Sequence, residues 1–450
     1  MTTKDDLKEK VLTEAKSEDV KFIKLQFSDM FGIVKSVTLP IEQLEESMEK
    51  GTWFDGSSIE GFARICESDM YLMPDPSTFA VLPWRPKEKA EARIIADVYT
   101  SDGKPFEGDP RYILKRAIKE AEKMGFGFFT GPELEFFLFK KNGDDEKIKP
   151  VPHDVAGYFD FSPRDLASNV RRDAMLALES LGMHVEMSHH EVADGQHEID
   201  FRYDEALKTA DHAVTFKYTV KAIANMHGLY ATFMPKPIFG INGSGMHVHQ
   251  SLFTKDGKPA FYDAKDKYKL SKTAYGFIAG QLEHIKGMCA VLAPTINSYK
   301  RLVPGYEAPV YICWGQHNRS ALIRVPRYSP GREKATRAEM RCPDPSCSPY
   351  LAFAVMLRAG LDGIKRKMTP PAPVEEDVYH FDNHKLEELG IDTLPASLGE
   401  AVAEFEKNKL MKEALGNHLY ERYLEAKKAE WKEYLMQVTD WEIDRYLEIL

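Results

Sequence analysis

The chain has 450 residues, room for two or three ordinary domains or one large domain with an accessory. A hydrophobic content of 43% with 26 prolines belongs to a folded, loop-rich protein and excludes a disordered one. The formal charge of −10, with no block of lysine and arginine, excludes general nucleic-acid binding but leaves anionic ligands open at local arginine clusters.

No apolar run is long enough to span a bilayer, and the start, Met1 to Asp6, lacks the apolar core of a signal peptide. Five cysteines, few and odd in number, fit reduced thiols, so a cytoplasmic location is expected. Cys342 and Cys347 lack a second pair of ligands nearby and are expected to be ordinary buried thiols.

In chain order, an amphipathic helix is predicted from Lys4 to about Ala15, then strands over Phe22–Phe27 and Val34–Leu39. Pro40 opens a short helix through Met48, a Gly/Ser/Asp loop follows Trp53, and a further strand lies near Ala92–Val98. The first hundred or so residues thus read as a small α+β unit of four or five strands. Asp109-Pro110-Arg111 is a helix-start signal for a helix to about Met124. Strands and helices alternate to about residue 355, and Leu398–Leu450 reads as almost entirely helical. The apolar tail from Asp440 to Leu450 is expected to dock, either on another subunit or on its own chain.

The chemistry lies in stretches that space acidic, His or Arg residues about two apart in strand-like sequence. In a strand, residues i and i+2 share a face, so such pairs look into one lumen while apolar residues between them pack outward. Glu133 and Glu135, flanked by Phe128-Phe129 and Phe136-Phe137, are expected on a central strand, where buried paired carboxylates need a cation. Glu191 and Glu198 add two carboxylates around Gly195. His189 and His190 precede Glu191 without either zinc-protease spacing, so a carboxylate-rich set favours Mg²⁺ or Mn²⁺ over zinc. His247 and His249 share a face directly after a Gly-Ser-Gly turn. Arg319, Arg324, Lys334, Arg337 and Arg341, interleaved with apolar residues and Glu339, form a candidate phosphate and carboxylate clamp. There is no P-loop and no Rossmann glycine fingerprint, so metals and arginines would hold any nucleotide's phosphates.

Taken in order, these blocks resemble type I glutamine synthetase over essentially the whole chain. They are Phe54-Asp-Gly-Ser-Ser-Ile, Gly131-Pro-Glu-Leu-Glu-Phe-Phe, His189-His-Glu-Val-Ala-Asp-Gly-Gln-His-Glu, Asn242-Gly-Ser-Gly-Met-His, Lys300-Arg-Leu-Val-Pro-Gly-Tyr-Glu-Ala-Pro-Val, Asn318-Arg-Ser and Arg341-Cys-Pro-Asp-Pro-Ser. The resemblance implies an α+β protein: a β-grasp-like domain over 1–107, then a catalytic domain over 108–450 with an antiparallel sheet forming a half-barrel active site and a helical tail. It implies ATP-dependent ligation of ammonia to L-glutamate through a γ-glutamyl phosphate. Glu135, Glu191 and Glu198 would hold one metal, and Glu133, His247 and Glu339 the other. Glutamate would meet Asn242, Gly243, Arg301, Glu307, Arg319 and Arg341; ATP would meet Glu186, Tyr203, His249, Ser251, Arg319, Arg324, Lys334 and Arg337. Ammonium would enter a pocket of Asp55, Ser58, Tyr158 and Glu191, with Asp55 taking its proton and Glu307 closing the site. Asp-Gly in a loop is by itself only a turn, and Asp55 gains its role from the resemblance, which has it completing a neighbour's site in two stacked hexameric rings.

The block Gly315-Gln316-His317 departs from the family, which is expected to carry Ser or Ala near 315 and Arg at 317. Cys342 and Ser348 also depart, as packing changes. An adenylylation segment is not recognisable near Lys365–Pro373, while Glu60-Gly-Phe-Ala-Arg64 matches the feedback motif of the shorter subtype of archaea and Gram-positive bacteria, with Arg64 as the implied glutamine sensor. A PII-type partner is plausible by analogy. The alternatives are a relative that ligates glutamate to another amine, which would differ at the ammonium pocket, and a non-catalytic relative, which would lack metal ligands or Glu307.

Overall fold

The computed structural model describes residues 4–57, 59, 61, 69–141, 147–328 and 330–450. Ser58 and Arg64, the predicted pocket and feedback residues, lie outside the described residues.

Among the described residues, the first unit builds one sheet from β1 (Val20–Ser28), β2 (Val34–Pro40), β3 (Thr52–Asp55), β4 (Asp69–Pro74), β5 (Ala80–Val81) and β6 (Ala90–Thr100). The order is β2-β1-β6-β4-β3, with β5 beside β6; β1 and β6 run parallel and the other pairs antiparallel. The sequence pattern missed β4 and β5, and it read β3 as part of the Gly/Ser/Asp loop. The helix Lys4–Ser17 packs on this sheet through Val11 and Ala15, closing a core with Ile23, Leu25 and Ile94.

Asp109 caps the helix Pro110–Lys123 as its spelling foretold, accepting a bond from Arg111 N with proline in the first turn. Arg111 then ties the two units together. It is 3% exposed and bonds Asp75 and Asp97 of the first unit and Asp211 of the helix Ala206–Met226.

The second sheet holds β7 (Phe126–Lys140), β8 (Val185–His190), β9 (Gln196–Phe201), β10 (Asp204–Glu205), β11 (Leu229–Thr232), β12 (Met246–Thr254), β13 (Tyr311–Gly315), β14 (Ala321–Arg324) and β15 (Ala338–Met340). Its order is β13-β14-β15-β12-β7-β9-β8, antiparallel except for the parallel pair β13 and β14. The 15-residue β7 is central, as its flanking phenylalanines required. The α+β expectation holds. Behind the sheet, the helices Lys272–Leu292 and Pro349–Lys365 run so close that a Cβ on Gly280 would lie 2.1 Å from Ala359 O.

Cys342 and Cys347 are fully buried free thiols, as expected. Residues 398–450 are helical in four segments, and the last, Asp440–Tyr446, carries a capping box. Beyond it Leu447, Ile449 and Leu450 are exposed, so the tail does not dock on its own chain. No helix among the described residues is long and apolar enough to cross a membrane.

Candidate active site

The register of the second sheet brings the spaced pairs face to face. Glu133 of β7 lies opposite His247 of β12, and Glu135 opposite Glu198 of β9. Glu339 of β15 lies opposite both His249 of β12 and Arg324 of β14. Directly opposed residues of antiparallel strands come close enough for their side chains to interact. Five strands therefore deliver seven ionisable side chains to one concave face.

Two cavities open on that face. One of about 350 Å³ is lined by the carboxylates Glu133, Glu135, Glu191, Glu198, Asp200 and Glu339 together with His247. Asn242, Gly243, Arg301, Glu307, Arg319, Arg324 and Arg341 line it too, with Tyr158 and Phe159 at one side. The other, of about 300 Å³, is lined by Phe129, Glu186, Tyr203, His249, Ser251, Lys334 and Arg337. The two share Glu133, Met187 and Asp200, so they are adjoining chambers. The residues expected to meet glutamate lie in the acidic chamber; those expected to meet ATP lie in the second, except Arg319 and Arg324, which line the acidic one. Asp55, at the end of β3, lines neither. A larger cavity of about 900 Å³ between the two units contains none of the predicted site residues.

The charges divide the acidic chamber in two. Burial pushes Glu133 and Glu339 up, but His249 beside both, His247 beside both and Arg341 beside Glu339 outweigh it and hold both low. Arg324 Nε donates to Glu339 Oε2 at 2.5 Å. On the other side burial acts with mutual repulsion. It raises Glu135, carries Glu198 well above the usual carboxylate range with Asp200 and Glu135 alongside, and lifts Glu191 to about 8 with Glu135 as neighbour. Asp200 rises to about 7 from burial and the charge of Glu133. Carboxylates crowded this way accept a hard divalent cation, whose charge removes the repulsion. The all-oxygen donors of Glu135, Glu191 and Glu198 fit Mg²⁺ or Mn²⁺.

Hydrogen bonds sort the histidines. Arg337 Nε donates to His249 Nδ1 at 3.1 Å, so the imidazole proton sits on Nε2, which donates to Glu133 Oε1 at 2.6 Å. His249 is thereby occupied as a donor, although it clusters with Glu133 and Glu339 by distance. His247 Nδ1 faces Glu133 Oε2 at 3.5 Å and Glu339 Oε1 at 3.8 Å, the better placed ligand for an ion beside these two carboxylates. His189 lies 3.4 Å from both Glu191 and Glu198. A third cluster of Asp154, His190 and His197 is buried behind the sheet. There Arg171 Nη1 donates to His197 Nδ1 at 2.9 Å, and a guanidinium so close disfavours a cation.

Gln196 holds the floor. Its amide donates to Glu135 Oε2 at 2.9 Å and to Gly243 O at 3.1 Å, while Gly245 N donates to the same Glu135 oxygen at 3.0 Å. Gly243 has no room for a side chain, since a Cβ would meet Pro235 O at 2.3 Å. Arg301 is buried and donates to the carbonyls of Cys342 and Arg341. Arg341 is also buried, yet its Nε and Nη1 have no hydrogen-bond partner. Such donors call for an acceptor, and a carboxylate in the chamber would supply one. Glu307 accepts from Asn242 Nδ2 at 3.3 Å and holds a left-handed φ of 56°, strain of a kind that gathers at functional loops.

Sequence reasoning missed Asp200 and Gln196. Both sit two residues from Glu198 on β9, so the same alternation would have found them. Met187 and Phe159 carry no such signal.

A family model described as the glutamine synthetase catalytic domain matches residues 107–446, and one described as the glutamine synthetase β-grasp domain matches residues 19–101. A glutamine synthetase of Methanosarcina mazei is 58% identical over 449 residues, covering 100% of this chain and 98% of the relative. One of Clostridium saccharobutylicum is 55% identical over 440 residues, covering 98% of each. A solved structure described as a GmaS/ADP complex superposes with a TM-score of 0.89 at 32% identity, covering 100% of both chains.

Proposed function

Because the chain belongs to the glutamine synthetase family, we infer that it is a glutamate–ammonia ligase, forming L-glutamine from L-glutamate and ammonia at the expense of ATP. The observation that carries the reading is the pair of adjoining chambers, one rich in carboxylates and arginines and one flanked by an aromatic and cations, meeting at Glu133.

In this reading the second chamber takes the nucleotide, with Tyr203 and Phe129 beside the base and Lys334, Arg337 and Ser251 toward the phosphates. Glutamate enters the acidic chamber with its α-carboxylate on Arg341 and Arg301, and Asn242 and Gly243 against its backbone. Bound divalent ions would sit on Glu135, Glu191 and Glu198 and on Glu133, His247 and Glu339, and would supply charge neutralisation for the phosphates. A side-chain carboxylate oxygen of glutamate forms a bond to the γ-phosphorus as the bond to ADP breaks. Arg319 and Arg324 offset the charge that develops on the transferred group. Tyr158 and Glu191 hold ammonium, Asp55 of a neighbouring subunit takes its proton, and ammonia displaces phosphate from the acyl carbon. Glu307 closes over the acyl phosphate and keeps water away.

The same reading divides the chain at 107/108. It makes the chain a homo-oligomer, two stacked hexameric rings in the full form, with the exposed apolar tail linking them. Trp441, Leu447, Ile449 and Leu450 at 64%, 74%, 72% and 99% exposure support that use. A PII-type regulatory partner and a cytoplasmic location belong to the proposal as well.

The test is phosphate release with ATP, glutamate and Mg²⁺, with and without ammonium, while glutamine is measured. Ammonium-dependent release matched one to one by glutamine, from a preparation that sediments as an oligomer, is the expected result. Turnover with putrescine but not ammonium would replace this reading with that of an amine ligase. Feedback by glutamine through Arg64 is part of the proposal: Arg64→Ala should leave catalysis intact and blunt inhibition by added glutamine. Unchanged inhibition would remove Arg64 from that role.

A further inference from the structure

The departing block Gly315-Gln316-His317 leads into the segment that carries Arg319. That segment, 316–320, joins β13 to β14, which run parallel. A connection between parallel neighbours gains no hairpin ladder, so its shape must come from elsewhere.

It comes from a strap. After the helix Pro349–Lys365 the chain passes Pro370, Pro371 and Pro373, whose fixed φ favours an extended path. It then lies along the Arg319 segment. Trp314 Nε1 donates to Pro371 O at 2.7 Å, and Val374 N donates to Trp314 O at 2.8 Å. Asn318 Nδ2 donates to Val374 O at 3.1 Å, and Val378 N donates to Ser320 Oγ at 3.0 Å. At the centre, the Glu375 carboxylate accepts two consecutive backbone donors: Gln316 N at 3.1 Å and His317 N at 2.8 Å. The strap lies so close that a Cβ on Gly315 would meet Val374 O at 2.4 Å. Glycine at 315, unexpected from the resemblance, is therefore what this contact requires. Serine or alanine would push the strap away.

We propose that Glu375 is a positioning residue for Arg319, its carboxylate setting the turn from which Arg319 reaches the acidic chamber. The inference rests on the reading that Arg319 stabilises the transferred phosphate. Charge-assisted bonds from two successive N–H groups fix a turn more tightly than neutral ones. A misplaced catalytic group costs rate more than affinity.

The experiment compares Glu375→Ala, Glu375→Gln, Gly315→Ala and the control Glu376→Gln, which removes only an exposed ion pair to Lys385. Each is assayed for glutamine formation in the full chain, alone and on an Arg319→Ala background. Glu375→Ala should lower kcat roughly 10- to 100-fold while KM for glutamate and ATP moves less than about threefold. Glu375→Gln, which keeps one acceptor oxygen, should recover most of the rate. Gly315→Ala should show the same kcat-weighted loss. On the Arg319→Ala background the Glu375→Ala loss should disappear, because the group it positions is gone. A loss of equal size on both backgrounds, or one confined to KM or melting temperature, overturns the proposal. Where Glu375→Ala fails to fold, Gly315→Ala, alone and on the Arg319→Ala background, decides it by the same criterion. If the unmodified chain makes no glutamine, the functional reading fails and the inference falls with it. If it does and all Glu375 variants match Glu376→Gln, this inference alone fails.

Discussion

Arg341→Ala is expected to lower kcat/KM for glutamate by about two to three orders of magnitude, the equivalent of about 3–4 kcal/mol, as for removing one partner of a buried charged pair. Two features set the size. Arg341 is 7% exposed with Nε and Nη1 lacking hydrogen-bond partners, so the substrate carboxylate would meet donors already desolvated. Its neighbour Glu339, 3.4 Å away, keeps Arg324 as a second cation, so the variant should still fold. Arg341→Lys should recover little, because a point charge cannot reproduce a planar two-pronged contact. Steady-state kinetics with glutamate and ATP varied separately provides the check. KM for ATP should change less than about threefold, since the second chamber is untouched. A loss shared equally by both substrates would argue against a glutamate contact.

Removal of divalent cations is expected to abolish turnover, with Mg²⁺ or Mn²⁺ restoring it, and the affinity for the cation should climb with pH. The sign follows from the raised carboxylates. In the cation-free protein Glu191 titrates at about 8 and Asp200 at about 7, each first because of burial. The folded chain therefore binds protons that the unfolded chain has already released in the ordinary carboxylate range. Cation-free stability should fall as pH rises from that range through about 8. A cation must displace those protons, so its affinity should rise roughly tenfold per pH unit for each proton released. Thermal unfolding with and without Mg²⁺ at pH 6 and pH 8 measures it. A larger Mg²⁺ shift at pH 8 is expected; equal shifts would mean that the ion does not bind the raised carboxylates.

Much of this site was legible because its signals are local. Alternation placed Glu133 and Glu135 on one face of a buried strand, and His247 and His249 on one face of another. The spelling Asp109-Pro110 started its helix where expected. The same alternation on β9 should have named Gln196 and Asp200 along with Glu198.

Other features had no local signature. The roles of His247 and His249 are alike in spacing, and they part only because Arg337, 88 residues from His249, donates to Nδ1 of His249. Glu375 is an ordinary acidic residue in a proline-rich stretch until the strap meets the Arg319 segment. Gly315 reads as a departure until Val374 O is found against it. For Asp55 the limit is different: it ends β3 and lines neither chamber of its own chain.

The sequence by itself determined the alternating faces, the helix start, the excess of carboxylates and hence the need for a hard cation. These depend on backbone periods and residue chemistry, which act over a few neighbours. Only the tertiary structure decided which carboxylates repel and which are neutralised, because that depends on strand register. Glu135 faces Glu198, whereas Glu133 faces His247 and Glu339 faces His249 and Arg324. Charges that are far apart in sequence acquire their energies only when pairing brings them within a few ångströms in a buried cavity.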